Sequence, residues 1–361
     1  MAAAILISPT IAQAQQKAAG KLVEVKVGFN SAIDQIAVPV GVEEGFFDKN
    51  GLDVTLAPAF ASGVDALNAL QAGDVQFVHV GVPLMGAMIA GMDVVYVGSY
   101  TGTGARIRSD GTFSIVAGKD SGINAKDFAS FRGKKIASTL GSTNHIYVRN
   151  LLASKGIKPE EYTLVNTAPP DMPVALSGRG VDAVACWDPW PIISRINAPG
   201  AFEVTRGGGF VANVGYIVAM REFAEKNPEI VEKFLTARAE SDQWVRKNPK
   251  GAAEIATRWI PGTSKEVAEE AMQFVGPLTD GRMSACTVRG MQEGMDATRV
   301  MRNLSQPVDV RKFVRGAAAT KLMQTRPDLF ADLEAIPAAA KLPGDDLSKW
   351  DMTIADTACL K

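Results

Sequence analysis

Short runs in which apolar and polar positions alternate are separated by longer stretches with helical spacing, and this order recurs along most of the chain. "VEVKVGF" predicts a strand, "DQIAVPVGVEEGFFDKNG" a helix closed by Gly51, "LDVTLAPA" a second strand and "VDALNALQAGD" a short helix. "VQFVHVG" predicts a third strand, "PLMGAMIAG" a helix with Pro83 in its first turn, and "DVVYVGSY" another strand. After the extended segment "FSIVAGK" the series restarts. It runs through the strand "KKIAST", the helix "TNHIYVRNLLASKG", the segments "EEYTLVNT" and "DMPVALSGRG", the strand "VDAVACW" and a helix opening at "DPWPIISRI". It closes where "VGYIVAM" enters a long helix.

Strands that alternate with helices predict mostly parallel sheets covered on both faces. The expected class is therefore α/β, with two doubly wound lobes joined by a two-segment hinge and extra C-terminal helices. Residues 22–113 and 217–361 are assigned to lobe 1 and residues 114–216 to lobe 2, with hinge segments near 113–118 and 213–219. A length of 361 residues, 47% of them hydrophobic, is enough to bury two cores. From residue 250 onward the pattern is helical, and the Met-rich "RMSACTVRGMQEGMDATRVMRN" predicts a face packed on lobe 1.

Charge narrows the function classes. Lys and Arg number 38 against 39 Asp and Glu, so no global field favours nucleic acid or an anionic membrane. The N-terminal "MAAAILISPTIAQA" ends in a small-x-small pattern and is expected to be an export signal, residues 1–14, cut after Ala14. No basic residue precedes it, so the true start is expected further upstream. No cysteine follows that position until Cys186, which argues against a lipid anchor and for a protein free in the periplasm. Cys186 lies in an apolar strand; Cys286 and Cys359 are candidates to pair or to stay free. With two histidines and no ligand spacing, neither a metal nor another cofactor is expected.

Catalytic motifs are missing. There is no G-x-S-x-G elbow and no phosphate-binding loop ending in Gly-Lys-Ser/Thr. In "GSTNHIYVRN", Ser142 and His145 share a helix face without a third partner. The same stretch has a second meaning: Ser142, Thr143 and Asn144 are strong cap residues at the end of a strand, and free amides at such a helix start suit an oxyanion. Ligands of open α/β sheets bind at the carboxyl ends of strands. That rule selects Ser31, Asp34 and Gln35 after the first strand, and His79 and Gly81 after the third. It also selects Gly141, Ser142, Thr143 and Asn144, and, in "CWDPW", Trp187 as a cleft wall and Asp188 as a helix cap.

These segments resemble the type II periplasmic solute-binding proteins of the nitrate, sulfonate and taurine ABC importers. The markers are "VGFNSAIDQIAVPVGVEEGFFDKNGLDVTL", "NALQAGDVQFVHVG", "FRGKKIASTLGSTNHIYVRNLLASKGIKPEEYTLVN", "VDAVACWDPW" and "REFAEKNPEIVEKFL", in family order from about Val25 to Leu235. The resemblance implies a receptor that closes on a small ligand and delivers it to a membrane permease. Ser142-Thr143-Asn144-His145 stands where taurine-binding members hold the sulfonate with Ser-Thr-Thr-His. Two places depart from that pattern: Asn213 replaces an acidic residue that meets the ligand amine, and Gly81 and Val82 replace small hydroxyl residues. Asp34 is then the remaining candidate for an amine.

The expected function is binding a small organic anion, sulfonate-like or taurine-like, by a monomer without enzymatic activity. The anionic end is assigned to Gly141, Ser142, Thr143 and Asn144, polar groups to Asp34, Gln35 and Asn213, and an apolar part to Trp187. Alternatives are a receptor for a neutral heterocycle or an aromatic carboxylate, or an enzyme resembling the thiamine-pyrimidine synthases of the same fold.

Overall fold

A computed structural model describes residues 21–344 and 347–360. The expected export signal, residues 1–14, lies outside the described residues.

Ten strands form two five-stranded sheets. In lobe 1 these are β1 (Val23–Gly28), β2 (Leu52–Leu56), β3 (Phe77–Val80) and β4 (Val94–Thr101). Lobe 2 holds β5 (Phe113–Ala117), β6 (Lys135–Ser138), β7 (Thr163–Asn166), β8 (Ala183–Trp187) and β9 (Phe202–Arg206), and β10 (Gly215–Met220) returns to lobe 1. The orders are β2-β1-β3-β10-β4 and β7-β6-β8-β5-β9. The two sheets share one plan: three parallel strands, then a strand that has just arrived from the other lobe and runs antiparallel to its neighbours, β10 in lobe 1 and β5 in lobe 2.

This plan moves the crossings away from the expected hinge segments. "FSIVAGK" and "VGYIVAM" are inner strands, and β5 pairs along all of Phe113–Ala117 with Trp187–Ala183. A strand held on both sides cannot bend as a hinge. The chain passes between lobes through residues 102–112 and 207–214 instead. These two segments are tied to each other: the Asp110 carboxylate accepts from the amides of Gly209, Phe210 and Val211 at 2.9, 2.6 and 3.3 Å.

Local chemistry explains the helix limits. The helix Thr143–Ser154 follows Ser142, whose Oγ accepts from the His145 amide, and the helix Pro83–Ile89 begins on its proline. The expected helix across "DQIAVPVGVEEGFFDKNG" is broken into Ile33–Gln35, Ala37–Glu43 and Phe46–Lys49, and Gly45 turns the chain between the last two at φ 69°. Asp188 does not cap the helix Trp190–Asn197: its carboxylate is taken by Arg206 at 2.6 Å.

The C-terminal third touches both lobes. The helix Lys265–Val275 reaches lobe 2 through the Arg195–Glu270 ion pair at 2.7 Å, and Phe274 lies 3.8 Å beneath the Arg206 guanidinium. In the helix Ala285–Met301, Met291 and Met295 are fully buried in the main core. Cys286 and Cys359 form a disulfide that joins this helix to the tail, and Cys186 is free and buried. Among the described residues no helix is long and apolar enough to cross a membrane.

Candidate functional site

The carboxyl ends of β1, β3, β6 and β8 face one cleft between the lobes. Because β10 and β5 run antiparallel to their neighbours, their amino ends arrive at the same edge and bring Asn213, Val214 and Phe113 with them. The cleft encloses about 600 Å³, its open mouth included, within the usual range for small-ligand sites.

Seven of the expected residues line it: Asp34, Gln35, Gly81, Ser142, Thr143, Trp187 and Asn213. Five do not. Ser31 offers its carbonyl to the indole N–H of Trp190 at 2.7 Å, a contact between lobes. His79 is completely buried behind Gln35 and Tyr100, and burial holds its imidazole well below the usual pKa, so it is neutral. The Gly141 amide is occupied, donating to Nδ1 of His145 at 3.1 Å. Asn144 donates from Nδ2 to Ser138 and to the Ala185 carbonyl, which ties its helix to β6 and β8. Asp188 is held by Arg206 below the surface.

The helix start at Ser142 is therefore narrower than expected. The Ser142 amide donates to the Thr139 carbonyl at 3.3 Å, which leaves the first helical amides, Thr143 and Asn144, without an intrahelical partner. His145 serves the turn as an acceptor through Nδ1, so its proton sits on Nε2.

On the opposite wall Gln35 is saturated. Its Oε1 accepts from the Asn30 amide at 2.7 Å, and its Nε2 donates to Tyr100 Oη at 3.1 Å. It sets the positions of Asn30 and Tyr100, and the tyrosine keeps its own hydrogen free to donate. Asp34 is half-buried, and among the described residues none donates a hydrogen bond to its carboxylate; Oδ1 is shut away from water. Burial, reinforced by the nearby Asp188 carboxylate, pushes the Asp34 pKa up to about 7.

The two walls meet directly. The Val82 amide of lobe 1 donates to Thr143 Oγ1 of lobe 2 at 3.1 Å, and the Ile33 amide donates to the Asp188 carbonyl at 3.3 Å. A Cβ placed on Gly81 would lie 2.6 Å from Thr143 Oγ1. This is a closed arrangement.

Several lining residues escaped the sequence reading: Ser62, Tyr100, Phe113 and Thr139. Ser62 caps the helix Gly63–Ala72, accepting from the Asp65 amide, so a second helix start opens on the cleft from lobe 1. Its signal, Ser62 followed by Asp65 three residues later, was as legible as the one at Ser142.

Comparison with known proteins bears on this site. A family model described as "NMT1/THI5 like" matches residues 33–252. Binding proteins of Brucella abortus are 22% identical over 87% of this chain and 95% of theirs. The taurine-binding periplasmic protein of Escherichia coli is 26% identical over 53% of this chain and 57% of its own. Among solved structures, the alkanesulfonate-binding protein SsuA of Xanthomonas axonopodis pv. citri, bound to MOPS, superimposes with a TM-score of 0.72 at 22% identity, covering 82% of this chain and all of that one. The fold also carries chemistry: the desulfurization enzyme DSZB matches at TM-score 0.62 and 12% identity over 84% of this chain and 99% of its own.

Proposed function

The chain belongs to the NMT1/THI5-like family, and from that premise we propose that it is the solute-binding component of an ABC importer. It binds a small organic ligand with an acidic end of the sulfonate type, closes over it, and presents it to the membrane permease. The observation that carries this reading is the closed cleft itself, with two capped helix starts, at Ser142 and Ser62, facing it from opposite lobes. The free amide of Thr143, with the Thr143 hydroxyl, seats the oxyanion. The disulfide fits an exported protein working in the periplasm.

A planar heterocycle or aromatic carboxylate is the second reading, favoured by the rings of Tyr100, Phe113 and Trp187 in the lining.

A thermal-shift panel of taurine, alkanesulfonates, arylsulfonates, nitrate, bicarbonate, aromatic carboxylates and pyrimidines separates the two. A ligand at about 100 times its Kd stabilises by roughly 2.7 kcal/mol, which moves the midpoint by several degrees. Sulfonates are expected to do so; a response to pyrimidines alone overturns the oxyanion seat. Thr143→Pro sharpens the test, because proline is tolerated at the first helical position and Ser142 already has the extended backbone that must precede it, at φ −87° and ψ 171°. Loss of that amide and hydroxyl should raise the Kd for the responding sulfonate about tenfold in a protein of unchanged helicity.

A further inference from the structure

The first crossing between the lobes, residues 102–112, is fastened at its two ends to different bodies. On the lobe 1 side the Gly102 amide donates to the Leu278 carbonyl at 2.9 Å and the Gly104 amide to the Asp280 carboxylate at 2.8 Å. The residues that follow are held by the C-terminal tail. The Leu360 amide donates to the Ala105 carbonyl at 2.8 Å, Arg106 and Leu360 form a parallel bridge, and Ile107 packs on the cluster that Ala285, Ala340 and Ala355 build around the disulfide. On the lobe 2 side the Arg206 guanidinium donates to the Gly111 carbonyl at 3.3 Å and the Asp188 amide to the Thr112 carbonyl at 3.0 Å. Between these anchors lie Arg108 and Ser109, and among the described residues neither makes a backbone–backbone hydrogen bond.

The second crossing changes sides as abruptly. Gly207 and Phe210 give their carbonyls to Tyr147 Oη and Asn150 Nδ2 of the lobe 2 helix Thr143–Ser154, at 3.0 and 2.8 Å. Ala212 and Val214 lie against Gly290 in the helix Ala285–Met301, so closely that a Cβ there would stand 2.9 and 3.1 Å from their side chains. We infer that the lobes turn about two short links, residues 108–109 and 211–212, and that the tail, fastened to the helix Ala285–Met301 by the Cys286–Cys359 disulfide, is the strap that keeps the first link short. The Arg289–Asp356 ion pair at 2.7 Å ties the tail to the same helix a second time. Without the strap, residues 105–107 lose these partners and join the flexible link. The inference uses the closing movement proposed above, not the identity of the ligand.

Two variants break the strap by different means. Cys286→Ala with Cys359→Ala removes the disulfide. Leu360→Pro keeps it and removes the amide that donates to Ala105; Cys359 already has the extended backbone that must precede proline, at φ −76° and ψ 145°. Hydrogen exchange read by mass spectrometry on the unliganded full chain should show peptides across residues 104–109 exchanging about tenfold faster in both variants. Peptides across 207–210, which are held by lobe 2, should keep the parent's rate. Spin labels on Asn68→Cys of lobe 1 and Lys126→Cys of lobe 2, both exposed positions, should give a broader distribution of distances between the lobes in both strap variants than in the parent. Cys186 is buried and does not take the label.

Faster exchange confined to residues 347–360 would show that the disulfide fixes only the tail, and the strap is overturned. Faster exchange across 104–109 with an unbroadened distance distribution overturns its part in the movement. If the disulfide variant unfolds, Leu360→Pro alone decides. Every reading is taken without ligand, so failure of the sulfonate proposal leaves the test intact.

Discussion

Replacing Arg238 by methionine is expected to lower the unfolding midpoint by roughly 6–20 °C. Arg238 is among the largest fully buried side chains, and it pairs with Asp242 one turn further along the helix Pro228–Lys247, Nη2 to Oδ1 at 2.9 Å. Both side chains are 1% exposed. Breaking such a pair from one side strands the other charge in the core, at a cost of about 3–5 kcal/mol, and each kcal/mol moves a large domain by about 2–4 °C. Because two apolar residues of similar volume can replace a buried pair at little cost, Arg238→Met with Asp242→Leu should recover most of the loss. Calorimetric unfolding of the two variants is the measurement. A single variant within about 1 kcal/mol of the parent would show that the pair contributes nothing its burial suggests. The position matters to function as well, because the same helix supplies Phe234, which packs against His79, and His79 packs against Tyr100 on the cleft wall.

What the sequence could and could not disclose follows from the range of each interaction. The strands and the helix starts at Ser142 and Pro83 depend on periodicity and caps within a few residues, and the α/β class was legible from them; the likeness to sulfonate-binding proteins came separately, as a resemblance of whole segments in order from about Val25 to Leu235. The placing of β5 and β10 was not. Whether "FSIVAGK" hangs between lobes or inserts beside β8 depends on partners some 70 residues away, and its composition suits both. Asp188 failed as a cap for the same reason: a short-range preference lost to an arginine 18 residues on. The strand-end rule chose the right ends but could not give depth. It selected His79 and Asn144 together with Thr143, although only Thr143 reaches the cleft surface. Tyr100 escaped notice because β4 has its carboxyl end at the cleft only when β10 runs antiparallel beside it.

Gly81→Ala is expected to weaken ligand binding by about 5–150-fold without unfolding the protein. The closed cleft depends on a close approach at this point: the Val82 amide reaches Thr143 Oγ1 at 3.1 Å, and an added Cβ on Gly81 would sit 2.6 Å from the same oxygen. Thr143 opens a well-capped helix and cannot retreat alone, so the lobes must part by part of an ångström. Overpacking of this kind costs typically 1–3 kcal/mol. Here the cost falls on the closed form, since in an open form the two residues are apart, and it therefore appears as lost affinity rather than lost stability. The unliganded midpoint should change little, and the radius of gyration from solution scattering should stay at its open value until much higher ligand concentrations. Thr143→Ser keeps the hydroxyl but sheds the methyl, giving it freedom to turn aside, and combined with Gly81→Ala it should restore part of the affinity. Should Gly81→Ala bind as the parent does, the contact between Gly81 and Thr143 is no part of the ligand-bound state, and closure must be driven from the other side of the cleft, where Ile33 and Asp188 meet.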